Sequence, residues 1–126
     1  FIEHYFAQVS VVEIVYGEID YRALVPVIQK ALHEDETFVA ISTDLSHFYT
    51  LAQANRLDSI CLNAVENMDL DGLDSGCEAC GMIGVKAVIQ AAKEYGLKTK
   101  LIDYRTSYDT SSDASSVVGY RSALIF

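Results

Sequence analysis

The chain has 126 residues, half of them apolar, with a formal net charge of -9. That length and composition fit one folded domain and exclude a disordered tail. The charge excludes a basic surface for nucleic acid or anionic lipid, and no apolar run approaches the roughly 20 residues that cross a bilayer. Three cysteines, an odd number without framework spacing, suit a reducing cytoplasm better than a secreted disulfide scaffold. The chain opens on Phe1-Ile2-Glu3 rather than Met, as if taken from something longer.

Taken in order, Phe1 to Ala7 reads as the end of a helix. Val9 to Val15 is β-branched and mostly apolar, so a strand is expected, ending at Gly17. Asp20 then opens a helix whose apolar stripe is Leu24, Val25, Ile28, Ala31 and Leu32. Pro26 falls in the second turn of that reading, which leaves its start open. Phe38 to Ile41 reads as a short buried strand that stops at Ser42-Thr43-Asp44, with Ser46 and His47 directly after.

The clearest helix spans about Leu51 to Asn67, with Leu57, Ile60, Cys61, Ala64, Val65 and Met68 on one face. Cys61 lies in that stripe and reads as a small core residue. Asp69 to Gly76 is acidic and turn-like but lacks the ligand spacing of a calcium loop. A third helix follows the Cys77-Glu-Ala-Cys80 segment, with Gly96 as its stop. Leu97 to Tyr104 reads as a strand, Arg105 to Ser116 as a polar loop, and Val117 to Phe126 as a closing strand. The order is β, α, β, α, α, β, β over a single domain, residues 1–126. Its opening alternation implies a mixed, largely parallel sheet flanked by helices.

Two stretches carry chemistry. In open α/β sheets the residues just past a strand's carboxyl end line the ligand crevice. The turn after Ile41 delivers a carboxylate (Asp44), a hydroxyl (Ser46) and an imidazole (His47) there. The alternative is that Asp44 or Ser46 caps the next helix. Cys77-x-x-Cys80 sits at a helix start, where thiolates are favoured. It admits a redox dithiol, half of a zinc site, a single metal ligand or nucleophile at Cys80, or a buried cysteine beside an incidental neighbour. Of the three histidines, His33 lies in an acidic exit loop and His4 near the beginning, so His47 is the candidate partner of Cys80. The pair would be a thiolate with its base, or half of a metal site, with Asp44 orienting the imidazole. The Tyr104 to Ser116 loop is long enough to shape a pocket, or to be a solvated connection.

Ser42-Thr-Asp-Leu-Ser-His47, Ala79-Cys-Gly81, Tyr104-Arg-Thr-Ser107 and Val117-Val-Gly-Tyr120, in that order, resemble the Memo-like proteins. Bacterial and archaeal members are called AmmeMemoRadiSam system protein B. The likeness runs over the whole chain but over only the C-terminal half of a family member. It implies an α/β fold similar to class III extradiol dioxygenases. It also implies a site joining two histidines of the N-terminal half to a cysteine, with an aspartate and a histidine close by. The cysteine carries over to Cys80 as metal ligand, the aspartate and histidine to Asp44 and His47. His4 does not match the motif histidine. This chain departs from the family where Cys80-Gly81 runs directly into Met82-Ile83-Gly84. Iron or copper is the implied cofactor, in a site incomplete within this chain.

The expected function is therefore a metal-dependent redox protein of undefined reaction. A non-catalytic domain binding a peptide or protein in the same crevice is the alternative, and a Cys80–His47 hydrolase ranks below both. A small molecule or a peptide is the expected partner, and an open sheet edge implies self-association.

Overall fold

The computed structural model describes residues 2–6 and 8–126. Helix α1 is short, Ile2–Tyr5; Phe1 and Ala7, the limits of the expected first helix, lie outside the described residues. The Asp20 carboxylate accepts the Arg22 N–H at 2.9 Å and opens a 3₁₀ turn, Tyr21–Ala23. Helix α2, Val25–His33, follows. It begins later than the stripe suggested, which puts Pro26 in the first turn, where its missing N–H costs nothing. Strand β1 is His47–Tyr49 and helix α3 is Leu51–Glu66, begun at Thr50, whose N–H donates to Gln53 Oε1 at 3.2 Å. The acidic turn contains a short helix α4, Leu70–Asp74, and α5 is Met82–Glu94. It stops at Gly96, whose φ of +65° suits glycine. Strand β2, Thr99–Thr106, helix α6, Tyr108–Ser111, and strand β3, Val117–Ile125, complete the order.

The sheet corrects the expectation of parallel strands. Among the described residues it has three strands in the order β1-β3-β2, and both pairings are antiparallel. Residues 107–116, which join β2 to β3, are fewer than the dozen or so a parallel crossover needs, so these strands can only form a hairpin-like pair. The register runs from Thr99 opposite Ile125 to Thr106 opposite Gly119, with an irregularity between Leu101 and Asp103. The stretch read as loop from Arg105 is shorter than expected: β2 continues to Thr106 and α6 occupies part of the remainder.

The two early strands are also corrected. Residues 9–15 and 38–41 carry no strand ladder. Val12 is 85% exposed, Val15 95% and Phe38 51%. β-branched residues favour an extended backbone, but a ladder needs a neighbouring strand, and among the described residues none reaches them.

Helix α5 is the centre of the molecule. One side packs Val85 and Ile89 against Ala64, Val65 and Leu73, and the other packs Ala87 and Ala91 against Val25 and Ile28. Near its start, the Gly84 N–H donates to the Tyr16 hydroxyl at 3.1 Å, satisfying a first-turn donor. A third cluster, Leu45, Cys61 and Ala79, joins the 42–47 turn, α3 and the approach to α5. Among the described residues no helix is long and apolar enough to cross a membrane.

Candidate functional site

The turn that carries Asp44 and His47 is fastened to β3. The Leu45 N–H donates to the Gly119 carbonyl and the Gly119 N–H to the Ser46 carbonyl, both at 2.9 Å. His47 then pairs with Val118 as the first residue of β1. Neither Asp44 nor Ser46 caps the following helix, whose cap is Thr50. Leu45 and Ser46 are 1% exposed, so the turn sits on the core rather than over it.

Beneath the turn lies a buried carboxylate that the sequence reading passed over. Asp58 of α3, 1% exposed, accepts the Ser46 N–H at 2.9 Å and the Tyr104 hydroxyl at 2.7 Å. It packs so closely on Gly119 that a Cβ there would overlap its carboxylate. Burial first, then the bond to Asp58, pushes the Tyr104 hydroxyl up. Asp58 was detectable: Ala54, Asp58, Cys61 and Val65 recur at helical spacing and all are buried, so an acid occupies the buried stripe.

The approach to α5 docks on the same turn. The Gly81 N–H donates to Thr43 Oγ1 at 2.9 Å, and a Cβ on Gly81 would fall 2.8 Å from Thr43 Cβ. Thr43 Oγ1 stands 3.7 Å from Cys80 Sγ. This brings Cys80 to Asp44. The Asp44 carboxyl is held below the ordinary carboxylate range, first by the Cys80 thiol and next by His47, against the opposing effect of burial. His47 Nε2 lies 2.8 Å from Asp44 Oδ2. Among the described residues the buried Asp44 Oδ1 has no well-formed hydrogen bond. The Ser46 hydroxyl is likewise buried without a partner among the described residues. Asp44, His47 and Cys80 are thus assembled around one carboxylate, with Thr43 as a fourth member.

The other candidates go elsewhere. His33 Nδ1 lies 2.8 Å from the Gln29 carbonyl and 3.2 Å from the Tyr95 hydroxyl, and His4 lies in α1. The polar residues after Tyr104 hold their own connection: the Thr106 N–H donates to Asp109, and the Val118 N–H to Ser107 Oγ at 3.1 Å. Cys61 is buried as expected but is not a lone core residue. It is disulfide-bonded to Cys77, which also removes the Cys77–Cys80 dithiol reading and leaves Cys80 the free, exposed thiol. No local sequence signal marks this pair: its partners lie 16 residues apart, and the α4 turn folds Cys77 back onto α3.

A thiol, an imidazole and a carboxylate have the right donor chemistry for iron or copper. Their number and arrangement do not suffice. Among the described residues no three His, Cys, Asp or Glu side chains form a group that could hold a metal ion. The residues present do not by themselves fit the implied metal.

The comparisons with known proteins agree with the motifs. The Memo-like protein family matches residues 1–124. A MEMO1 family protein of Methanobrevibacter smithii is 33% identical over 135 aligned residues, 98% of this chain and 48% of the relative. One from Methanococcus maripaludis is 32% identical over 113 residues, 85% of this chain and 39% of the relative. One from Desulfurococcus amylolyticus is 34% identical over 87 residues, 65% and 31% respectively. The chain therefore spans less than half the length of these curated relatives. With a family match over nearly its whole length, the chain belongs to the Memo-like protein family.

Proposed function

We propose that this chain supplies the sulfur side of a metal-dependent redox site, with iron or copper as the ion and the remaining donors from outside these residues. The observation that carries the reading is the position of Asp44. One of its oxygens meets His47, the other is buried without a well-formed bond, and the Cys80 thiol acts on the same carboxyl. In this reading Cys80 is the soft donor, His47 the proton-carrying group, and Asp44 orients both. The cytoplasm is the proposed compartment; its thiol pool keeps Cys80 reduced and sets whether the Cys61–Cys77 bond is closed.

Copper(I) is the softest of the candidate ions and the one a thiolate selects. The test is an anaerobic Cu(I) titration of the purified chain against a chromophoric chelator. The expected result is binding weakened about tenfold or more in Cys80→Ala, as loss of a principal ligand should cause. Binding equal in the two chains would overturn the reading.

A second reading is supported by Phe48, which adjoins His47, is 81% exposed and has a φ of +65°. An aromatic side chain presented on a strained backbone suits a non-catalytic role, docking a peptide or protein at the same rim. A Phe48→Ala chain that binds Cu(I) normally but loses capture of a partner peptide would favour that reading.

A further inference from the structure

Cys80 owes its place to a short irregular segment. From Cys77 to Ala79 the chain has no helix or strand, so its path is set by its anchors. Cys77 is bonded to Cys61 in the middle of α3. The exposed side chain of Glu78 accepts the Tyr49 hydroxyl at 3.1 Å. Ala79 packs with Leu45 and Cys61, and the Gly81 N–H is held by Thr43. The first anchor is covalent, and it is the one a reductant can undo. Cys61 is 1% exposed within a regular helix, whereas Cys77 is half-buried in the irregular segment. The sulfur open to attack is therefore that of Cys77, and the part free to move afterwards is the one leading to Cys80.

We propose that Cys61 and Cys77 form a redox switch on the Cys80 site. Oxidised, the pair holds the 77–80 segment so that the thiol stands beside Thr43, at the turn that carries Asp44. Reduced, the segment slackens and Cys80 leaves that turn. The chemistry is thiol–disulfide exchange with a small dithiol. A thiolate of the reductant attacks Cys77 Sγ, the S–S bond breaks, and Cys61 leaves as thiolate and takes a proton. The reductant's second thiolate then displaces Cys77, which also becomes a thiol. Two electrons pass to the protein and the reductant ends as its own disulfide; a disulfide oxidant reverses the step. The switch takes its functional meaning from the site proposed above, but its test needs neither metal nor turnover.

The test compares Cys80 alkylation by iodoacetamide in the oxidised chain and in Cys61→Ala/Cys77→Ala, each of which has a single free thiol. Held 3.7 Å from Thr43 Oγ1 the thiol has a restricted approach, so release should speed the reaction by about threefold or more. Circular dichroism should be unchanged in the double variant. Equal rates in two folded chains would overturn the proposal. If the double variant does not fold, the wild-type chain is reduced with a phosphine and Cys80 labelling is followed by peptide mass spectrometry. A rise with the fold retained supports the switch. Unchanged labelling, or collapse of the fold on reduction, refutes it, the latter by making the bond a structural staple. A failed Cu(I) titration beside a clear rate difference would sink the metal reading and leave the switch standing.

Discussion

Replacing Asp58 by alanine should loosen the whole site from below. The substitution removes the acceptor of the Ser46 N–H and of the Tyr104 hydroxyl. A hydrogen bond to a charged group contributes about 1.5–3 kcal/mol. The Tyr104 hydroxyl keeps a second acceptor, Asn55 Oδ1 at 3.0 Å, so its loss falls at the low end. The Ser46 N–H is buried with the turn, so its loss falls higher. Removing a desolvated carboxylate returns part of the sum, and the net cost is about 3 kcal/mol. For a domain of this size that is a fall in Tm of about 10 °C. Thermal unfolding followed by circular dichroism measures it, with Tyr104→Phe as a control expected to cost about 1.5 kcal/mol. The Asp58→Ala effect should nearly absorb the Tyr104→Phe effect in the double variant, because the two side chains share one bond. A Tm within about 2 °C of wild type, or strictly additive losses, would refute the account of Asp58 as the support of the turn.

Three further outcomes follow from the same geometry. Gly119→Ala should cost about 3 kcal/mol or more, since its methyl group has nowhere to go but into the Asp58 carboxylate, and denaturant unfolding with an unchanged m-value would read it. The Asp44 carboxyl, lowered in the folded chain, stabilises the fold above its unfolded value of about 4 and loses that contribution as pH falls through its folded value. Asp44→Asn should therefore flatten acid unfolding below about pH 4, and an acid limb identical to wild type would contradict this. Self-association is expected: the surface is 8383 Å², whereas a compact chain of 13.9 kDa exposes about 6,700 Å². The difference exceeds the roughly 800 Å² each partner of a standard interface buries, and screening of the net charge by salt should favour association. A salt-independent monomer by light scattering would contradict it.

Much of the helical layer was legible because its signals are local. The stripe of α3 and the Gly96 stop of α5 depend on residues a few positions apart. The sheet was not legible in the same way. Val9 to Val15 and Phe38 to Ile41 advertise an extended backbone, but whether a strand pairs is decided by what lies beside it. The antiparallel pairing of β2 and β3 was hidden because part of β2 and all of α6 read as loop. Thr106 is buried and Asp109 caps its N–H, a contact that composition does not announce. The meeting of Asp44, His47 and Cys80 was anticipated from the motifs. The supporting roles of Thr43, Asp58 and Gly119 were not, because each acts across elements distant in sequence, although the spacing of α3 marks Asp58 as buried. The Cys61–Cys77 bond was missed for the same reason.

The central claim is that the turn after Thr43 and the start of α5 share one carboxylate. Its most direct test is the titration of the Asp44 side-chain carboxyl by carbon-13 NMR in the wild-type chain, Cys80→Ala and His47→Ala. The account predicts a wild-type midpoint below the ordinary aspartate value and an upward move in both variants, larger for Cys80→Ala. A wild-type midpoint at the ordinary value, or no movement when the thiol is removed, would mean that Cys80 and His47 do not meet at Asp44.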